Sequence, residues 1–558
     1  MKPEDGRKLP SGARLRCRVA VVGSGPAGTT VARELAESGI DVILLEAGGL
    51  EPSAGAQDTL KGAGAQQLLE PLEKAREKRL GGTSHRWGGR TFPFDELDFE
   101  PRPALGIDGW PMDRDELLPY YRRAAAVLEL GAFDWTAHSA VPGEPEHLLG
   151  ADSHADLEDR QIWRWSPPVQ FGEVIRDQLA EQRNCRVITH ATVTKLLEDA
   201  GTGRITEVVC NSGSGEFSVV ADTFVLAAGG IETARILLAN DVGNQHDQVG
   251  RNYMIHPIGE VGSLRLREPE TAGLAVRYAR TSDGVWVRRL LQLSTELRRR
   301  ENLLNLGVAI WYVDPMDPGH RDPLLSSFAL ARKALTRFGG FKATGMHRRF
   351  GRVGGVKAHL RNVFYGFPRL ARFAGGWLRD RILSRRTLPS FWAYSASGEY
   401  RLRFDAEQSP DPESRIVLSR DVDGFGVPRV ESRHTVGEAD RKNYLSSLQR
   451  IAETINATGW AEYEPPSAEQ MMTLQMTDAT HQMGLVRMGR APESSVVDRN
   501  LKVWSTPNLY CATAGVFPSA GMAGPTLTVV ALAARLADHL IAAEGSRRAQ
   551  VAEGAADG

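Results

Sequence analysis

Among 558 residues there are only four cysteines, Cys17, Cys185, Cys210 and Cys511, with no CxxC and no Cys/His spacing of the kind that holds a metal. Thiols scattered this way fit buried packing roles in a reducing compartment, so no metal site and no disulfide is expected, and the chain reads as cytoplasmic. Long apolar runs are missing as well. Nothing approaches the roughly 18 consecutive apolar residues of a membrane span, and the opening MKPEDGRKLPSGARLRC has no hydrophobic signal segment. Excess charge of either sign is also absent. The 68 Lys and Arg against 69 Asp and Glu leave a formal charge of −1, which excludes a global attraction to nucleic acid. A content of 42% hydrophobic and 25% charged residues is that of a globular protein, and the length predicts two large domains. About the first 14 residues and the tail from Gly545 read as frayed ends.

What is present is concentrated between Val19 and Gly49. A β-branched run from Arg18 to Val22 leads into Gly23-Ser24-Gly25-Pro26-Ala27-Gly28. A helical pattern follows (Val31, Leu35), Gly39 stops it, and a second buried strand, Val42 to Leu45, ends in Glu46. The three glycines act differently. Gly23 allows the tight turn, Gly25 lets the backbone approach a pyrophosphate, and Gly28 lets helix and strand pack closely. The helix N-terminus offers free N–H groups to the phosphates, and Glu46, 18 residues beyond Gly28, stands where a carboxylate accepts ribose hydroxyls. A GxGxxG alone is weak. With its strand, helix and acid in place it predicts a dinucleotide site, and Glu46 would repel a 2′-phosphate, favouring FAD or NAD over NADP.

Further along, RLGGTSHRWGGR (Arg79 to Arg90) is a glycine-rich loop suited to approach something flat or anionic, and an ordinary surface loop is the plain alternative. Asp113 is a predicted N-cap for a helix from Arg114 to Leu130. Cys185 to Leu197 predicts one strand, Ile205–Cys210 and Glu216–Val220 a hairpin, and Thr223–Ala227 another strand running into Gly229-Gly230 and a helix. That is a second helix N-terminus fit to reach the same nucleotide. From about Glu260 the texture changes. Residues 332–386 hold fifteen Lys and Arg against one acid, Asp380, with Phe, Leu and Trp between them. Such a stretch fits a solvated face, a weak contact with an anionic membrane or a redox partner, or the collection of an anionic substrate. Phe391–Phe404 and Arg415–Leu418 predict strands and Glu438–Ile455 a helix. A final block joins Thr480-His481-Gln482-Met483-Gly484, Val496-Val497-Asp498, Asn508-Leu509-Tyr510 and VFPSAGMAGPT to an alanine-rich helix, Leu527 to Ala542. A lone His beside Met and Gly is more often structural.

These ordered blocks resemble the glucose–methanol–choline (GMC) oxidoreductases, FAD-dependent enzymes that oxidise alcohols. They are GSGPAG with Glu46, GGTSHRWGGR, GWPMDRDELLPYY, AAGGIETARILL, VGRNYMIHP, EQSPDPESRIVLS, HQMGLVRMG and the C-terminal VFPSAG…PTLTVVALAARLAD. Their flavour is closer to the branch of pyranose oxidase and glycoside oxidases. The resemblance implies an α/β fold: a Rossmann-like FAD domain with a parallel sheet (15–260 and 475–545) and a substrate domain with an antiparallel sheet flanked by helices (261–474). It implies that Gly23, Gly25, Gly28 and Glu46 bind the ADP half of FAD, that Gly82, Thr83, Arg86, Trp87 and Gly88 wrap the pyrophosphate and flavin edge, that Val193 meets the adenine, and that Gly229, Gly515, Pro525 and Thr526 complete the cofactor site. His481 matches the family's catalytic histidine, the general base for a hydroxyl proton as hydride leaves for flavin N5.

Two departures matter. The family's second polar residue before Pro-Thr is here Gly524, so that contact is missing or comes from water or the middle domain. Arg86 stands directly before Trp87 where some relatives carry a flavin-linking His, and His85 is one residue early, which predicts non-covalent FAD. The expected function is oxidation of an alcohol of a sugar, glycoside or aminoglycoside-like polyol, with O2 or an external carrier as acceptor. A sterol-like alcohol, a flavin-containing lyase and a non-redox dinucleotide-binding protein are the alternatives.

Overall fold

The computed structural model describes residues 3–63, 71–150, 156–268, 275, 277–337, 354–390 and 395–556. Its first sheet is built on the glycine-turn unit. Strand β1 (Arg14–Val22), helix α1 (Pro26–Glu37), β2 (Val42–Leu45), β3 (Cys185–Thr189), β4 (Glu216–Leu226) and helix α2 (Gly230–Ala239) supply its frame. The order is Glu4–Asp5, β3, β2, β1, β4, Arg204–Asn211, Thr192–Asp199, with Leu509–Cys511 also on β4. Pairing is parallel from Glu4–Asp5 through to β4 and antiparallel in the hairpin. Val22 and Leu226 are register partners, so both glycine turns leave the same carboxyl edge, where open α/β sheets take their ligands.

Three expectations are corrected here. Cys185 to Leu197 is not one strand: it breaks at His190, in the left-handed region at φ 52°, into β3 and Thr192–Asp199. Conversely, Glu216–Val220 and Thr223–Ala227 are one strand, β4, because β1 pairs along its length while the hairpin and Leu509–Cys511 share its other edge. Neither end is frayed as expected: Glu4–Asp5 pairs with Ile188–Thr189, and the last helix runs to Ala556.

The second sheet is antiparallel. It runs Ala461–Tyr463, β5 (Pro257–Leu266), then Glu399–Ala406, β6 (Leu306–Tyr312), Leu291–Leu293 and Leu157–Glu158. A smaller antiparallel sheet joins Ala279–Arg280, Trp286–Arg289, Ile162–Trp165 and Arg90–Thr91. The basic segment contributes α3 (Val356–Tyr365) and α4 (Phe367–Trp377), and its residues 338–353 lie outside the described residues. Strand β7 (Glu399–Ala406) is the described part of the strand expected from Phe391. Helix α5 (Glu438–Thr458) backs the second sheet with Tyr444, Leu448, Ile451 and Ile455, all fully buried at helical spacing.

Helix α6 (Thr526–Ala556) packs on α1 and on the helix Arg114–Val127, whose Asp113 and Glu116 form the capping box. By length and composition α6 could cross a membrane, but Leu527, Val530 and Ala533 are fully buried, and its apolar content supplies the core under the first sheet. The four thiols are free, and burial pushes Cys17, Cys185 and Cys511 up to about 12.

Candidate active site

At the nucleotide end the glycines act through space as well as conformation. Gly23 has φ 103°, and a Cβ there would sit 2.6 Å from the Ala227 carbonyl oxygen, while one at Gly28 would overlap the Gly23 carbonyl. Gly25 caps α1 with Pro26 as its first residue, and Gly229 (φ 83°) caps α2. A Cβ on Gly25 or Gly229 would meet no protein atom within 4 Å, so both helix N-termini look onto open space. Paired bare N-termini of this kind form a cradle for a pyrophosphate.

Glu46 is buried beside this cradle. Its Oε2 accepts from the Ser24 amide at 3.2 Å and from the Ser24 hydroxyl, and its Oε1 accepts from Gly48 N at 2.7 Å. Burial pushes its pKa up, against those hydrogen bonds, and among the described residues no Lys or Arg forms an ion pair with it. A carboxylate held this way fits the ribose hydroxyls of an adenosine. Val193 opens the hairpin close by, since Ala191 N donates to the Glu46 carbonyl at 2.9 Å.

The RWGG loop crosses the same turn. Gly81 N donates to Ser24 Oγ at 2.9 Å, and a Cβ on Gly82 would lie 3.5 Å from Gly25 Cα. Thr83 Oγ1 accepts from Glu77 N at 3.2 Å, Trp87 Nε1 donates to the Val169 carbonyl at 3.0 Å, and Gly88 has nothing within 4 Å of a built Cβ. The Arg86 guanidinium is engaged locally, donating to Glu77 at 2.7 Å and to the Lys74 carbonyl at 2.5 Å. His85 is held on both ring nitrogens, by the Leu80 carbonyl at 2.9 Å and by Arg79.

The C-terminal block closes on α2. A Cβ on Gly230 would overlap the Gln482 carbonyl, and one on Gly515 would lie 3.2 Å from Gly230 Cα, so His481 and Gly515 both stand at the α2 N-terminus. Met483 and Met254 exchange two backbone hydrogen bonds of 3.0 Å, which sets His481 beside His256. Their Nδ1 atoms are 2.7 Å apart, with rings nearly perpendicular at 86°. His256 Nε2 lies 3.0 Å from the Ala520 carbonyl. A carbonyl only accepts, so Nε2 of His256 carries the proton and its Nδ1 is a lone pair; the Nδ1–H of His481 therefore donates to it. That leaves Nε2 of His481 as an unprotonated acceptor. Burial holds both rings below the ordinary histidine pKa of 6.5, and His481 is lowered further by His256 and then Arg90.

A Cβ on Gly524 would lie 4.0 Å from His481 Nε2 and 3.6 Å from the Arg90 carbonyl, so the absent side chain leaves room beside that nitrogen. Pro525 and Thr526 start α6 directly after it. Arg90 grips Asp405 with two hydrogen bonds of 3.0 and 2.9 Å and lies over Trp163, while Arg403 reaches Asp405 at 2.9 Å and lies over Trp311. Burial favours the neutral acid at Asp405, but Arg403 and Arg90 outweigh it and keep the carboxylate ionised.

The family profile described as FAD dependent oxidoreductase matches residues 18–258, and the profile described as GMC oxidoreductase matches residues 410–533. The chain is a GMC-type, FAD-dependent oxidoreductase. This GMC chain is 24% identical to the fructose dehydrogenase large subunit of Gluconobacter japonicus, over 95% of the chain and 99% of that protein. It is also 24% identical to paromamine 6'-oxidase of Streptomyces fradiae, over 93% of the chain and 90% of that protein. In fold it is similar to an FAD-dependent oxidoreductase from Chaetomium thermophilum, with a TM-score of 0.52 at 16% identity over 95% of this chain and 100% of that one.

Sequence reasoning passed over His256. It stood in VGRNYMIHP, among the blocks that carry the GMC resemblance, without a role; its signal was a second histidine in such a block, next to a proline that opens β5.

Proposed function

We propose that this GMC oxidoreductase oxidises an alcohol group of a sugar, glycoside or aminoglycoside-like polyol to a carbonyl. The observation that carries the chemistry is the bare Nε2 of His481, oriented by the His256–Ala520 chain and facing the gap at Gly524. There His481 accepts the hydroxyl proton, which concentrates electron density on the alcohol oxygen and weakens its C–H bond. Bound FAD supplies the two-electron acceptor. Gly23, Gly25, Gly28, Glu46, Val193 and Gly229 would hold its ADP half, with Gly82, Thr83, Arg86, Trp87 and Gly88 at the pyrophosphate and flavin edge, and Gly515, Pro525 and Thr526 completing the cofactor site. Binding is non-covalent, supported by the engagement of both His85 ring nitrogens. O2 or an external carrier takes the electrons onward.

The polyol class is supported by relatives named for fructose and paromamine. The division into an FAD part (15–260, 475–545) and a substrate part (261–474) belongs to this reading, with Leu157–Glu158 reaching across into the second sheet. A cytoplasmic site of action is supported by the four free thiols. The test is anaerobic mixing of the yellow protein with sugars, glycosides, aminoglycosides and sterols while following flavin absorbance. Bleaching by a polyol, abolished in His481→Ala, is expected; bleaching by sterols alone would overturn the substrate class, and a colourless protein the cofactor.

A further inference from the structure

The basic segment is folded inside out. Between residues 354 and 386 there are eight Lys and Arg and one acid, Asp380. The side of α3 that packs on the protein is polar: His359 and Asn362 are buried, the His359 ring lies 3.1 Å from Ser326 Oγ, and Asn362 Nδ2 donates to the Pro318 carbonyl at 2.9 Å. The side that meets solvent carries large apolar groups among its cations. Phe364 and Tyr365 are each 77% exposed, with Leu360 at 54% beside them and Phe367 at 64% where α4 begins. Ile382 and Leu383, in the π-helical turn Leu378–Leu383 that follows α4, are exposed as well. A helix of a soluble protein points its apolar stripe at the core, and contiguous exposed aromatics and leucines mark a surface that something covers.

Charge says what covers it. Lys357, Arg361, Arg369 and Arg372 are exposed on the same two helices as Phe364 and Phe367. Aromatic and aliphatic side chains that enter the acyl boundary, flanked by cations that meet headgroups, are the chemistry of a helix lying in the plane of an anionic bilayer. A second copy of this chain would bring like charge against like charge. We infer that α3, α4 and the turn Leu378–Leu383 form a docking surface for a membrane that carries anionic lipid. The surface is braced from behind: Trp286 Nε1 donates to the Arg386 carbonyl at 3.0 Å, and Arg280 lies over Trp286 and reaches Asp380 at 3.4 Å. Arg280 and Trp286 belong to the small sheet whose opposite edge is Arg90–Thr91, so this sheet connects the docked face to Arg90, whose carbonyl lies beside Gly524.

Docking through this face is independent of which alcohol is oxidised. It is tested by co-sedimentation of the full-length, FAD-loaded protein with vesicles of phosphatidylcholine alone or mixed with phosphatidylglycerol. Binding is expected only to the anionic vesicles and is weakened by salt. The pair Arg361→Glu and Arg372→Glu is expected to lower partitioning by at least about tenfold, given roughly fivefold per basic residue near the surface. The pair Phe364→Ser and Phe367→Ser is expected to abolish it, with flavin content unchanged in both. Equal binding to neutral vesicles, no binding to anionic ones, or unaltered binding by both pairs overturns the inference. So does a serine pair that turns a wild-type dimer into a monomer without altering vesicle binding, because a second copy then covers the face.

Discussion

Nδ1 of His481 donates to Nδ1 of His256 across 2.7 Å, and the direction of that bond is decided by the Ala520 carbonyl on the far side of His256. Three residues from three remote parts of the chain thereby fix one tautomer. The loop that bears Ala520 is itself pinned: Trp110 Nε1 donates to Ser519 Oγ at 2.8 Å, and Ser519 Oγ donates to the Asp98 carbonyl at 2.6 Å. Orientation of the His481 ring is thus set by buried partners, His256 and the pinned loop that bears Ala520.

His256 is therefore expected to act as a positioning residue. In His256→Ala, Nδ1 of His481 loses its acceptor, the ring samples the wrong tautomer, and flavin reduction should slow by about 10–100-fold. Glutamine can accept from His481 through Oε1 and donate to Ala520 through Nε2, so His256→Gln should recover part of the loss. Stopped-flow reduction at saturating substrate separates this from a binding defect. Equal rates in alanine and glutamine variants would reduce His256 to a packing residue.

The pH dependence follows from the same pair. Burial, then His256, then Arg90 hold the His481 pKa well below 6.5, and protonation there would remove the proposed base. kcat/KM should therefore stay flat as pH falls through 6.5 and decline only at lower pH. A profile already half lost at pH 6.5 or above in the wild type would contradict the electrostatics described here.

A second pH effect concerns stability. Asp98 is buried with Asp95 and Glu407, and its pKa is pushed up to about 8 by burial and then by those two carboxylates, against Arg102 and Arg298. A folded-state value raised above 3.8 means that the native protein holds a proton the unfolded chain has released. Stability contributed by that proton is full below about pH 4 and is lost as pH rises towards about 8. Denaturant melts of wild type and Asp98→Asn over this window should converge at low pH and diverge, with the wild type weaker, as pH rises. The opposite divergence would mean that Asp98 is ionised in the fold.

How much of this was legible depends on whether the constraint is local. The glycine turn was readable because Gly23, Gly25 and Gly28 answer to φ angles and contacts within a few residues or one neighbouring strand. The break at His190 was not readable, since nothing in THAT distinguishes a left-handed residue from a continued strand until β3 must pass Glu46. Strand partners such as Leu157–Glu158 with Gln292–Leu293 depend on segments over a hundred residues apart. His256 was missed for the same reason, its partner lying 225 residues away. In α3 the mixture of cations and apolar residues is readable in the sequence, but which face is inside is a tertiary fact.

Gly524 offers the most direct probe of what the space beside His481 is for. A Cβ there meets nothing closer than the Arg90 carbonyl at 3.6 Å, and its φ is not in the left-handed region, so side chains should be accepted without strain. Gly524→Ala should therefore melt within a few degrees of wild type, in contrast to Gly484→Ala, whose Cβ would overlap the Asn252 carbonyl at φ 84° and should be strongly destabilising. Gly524→His would place a second imidazole beside Nε2 of His481. It would supply a polar contact to the alcohol oxygen, but it would also fill the room a polyol ring needs. A raised KM for ring-sized polyols with kcat for small alcohols retained or improved is expected from steady-state kinetics. If both substrate sizes respond alike, the gap at Gly524 is not where the substrate sits, and the polyol must approach Nε2 from another side.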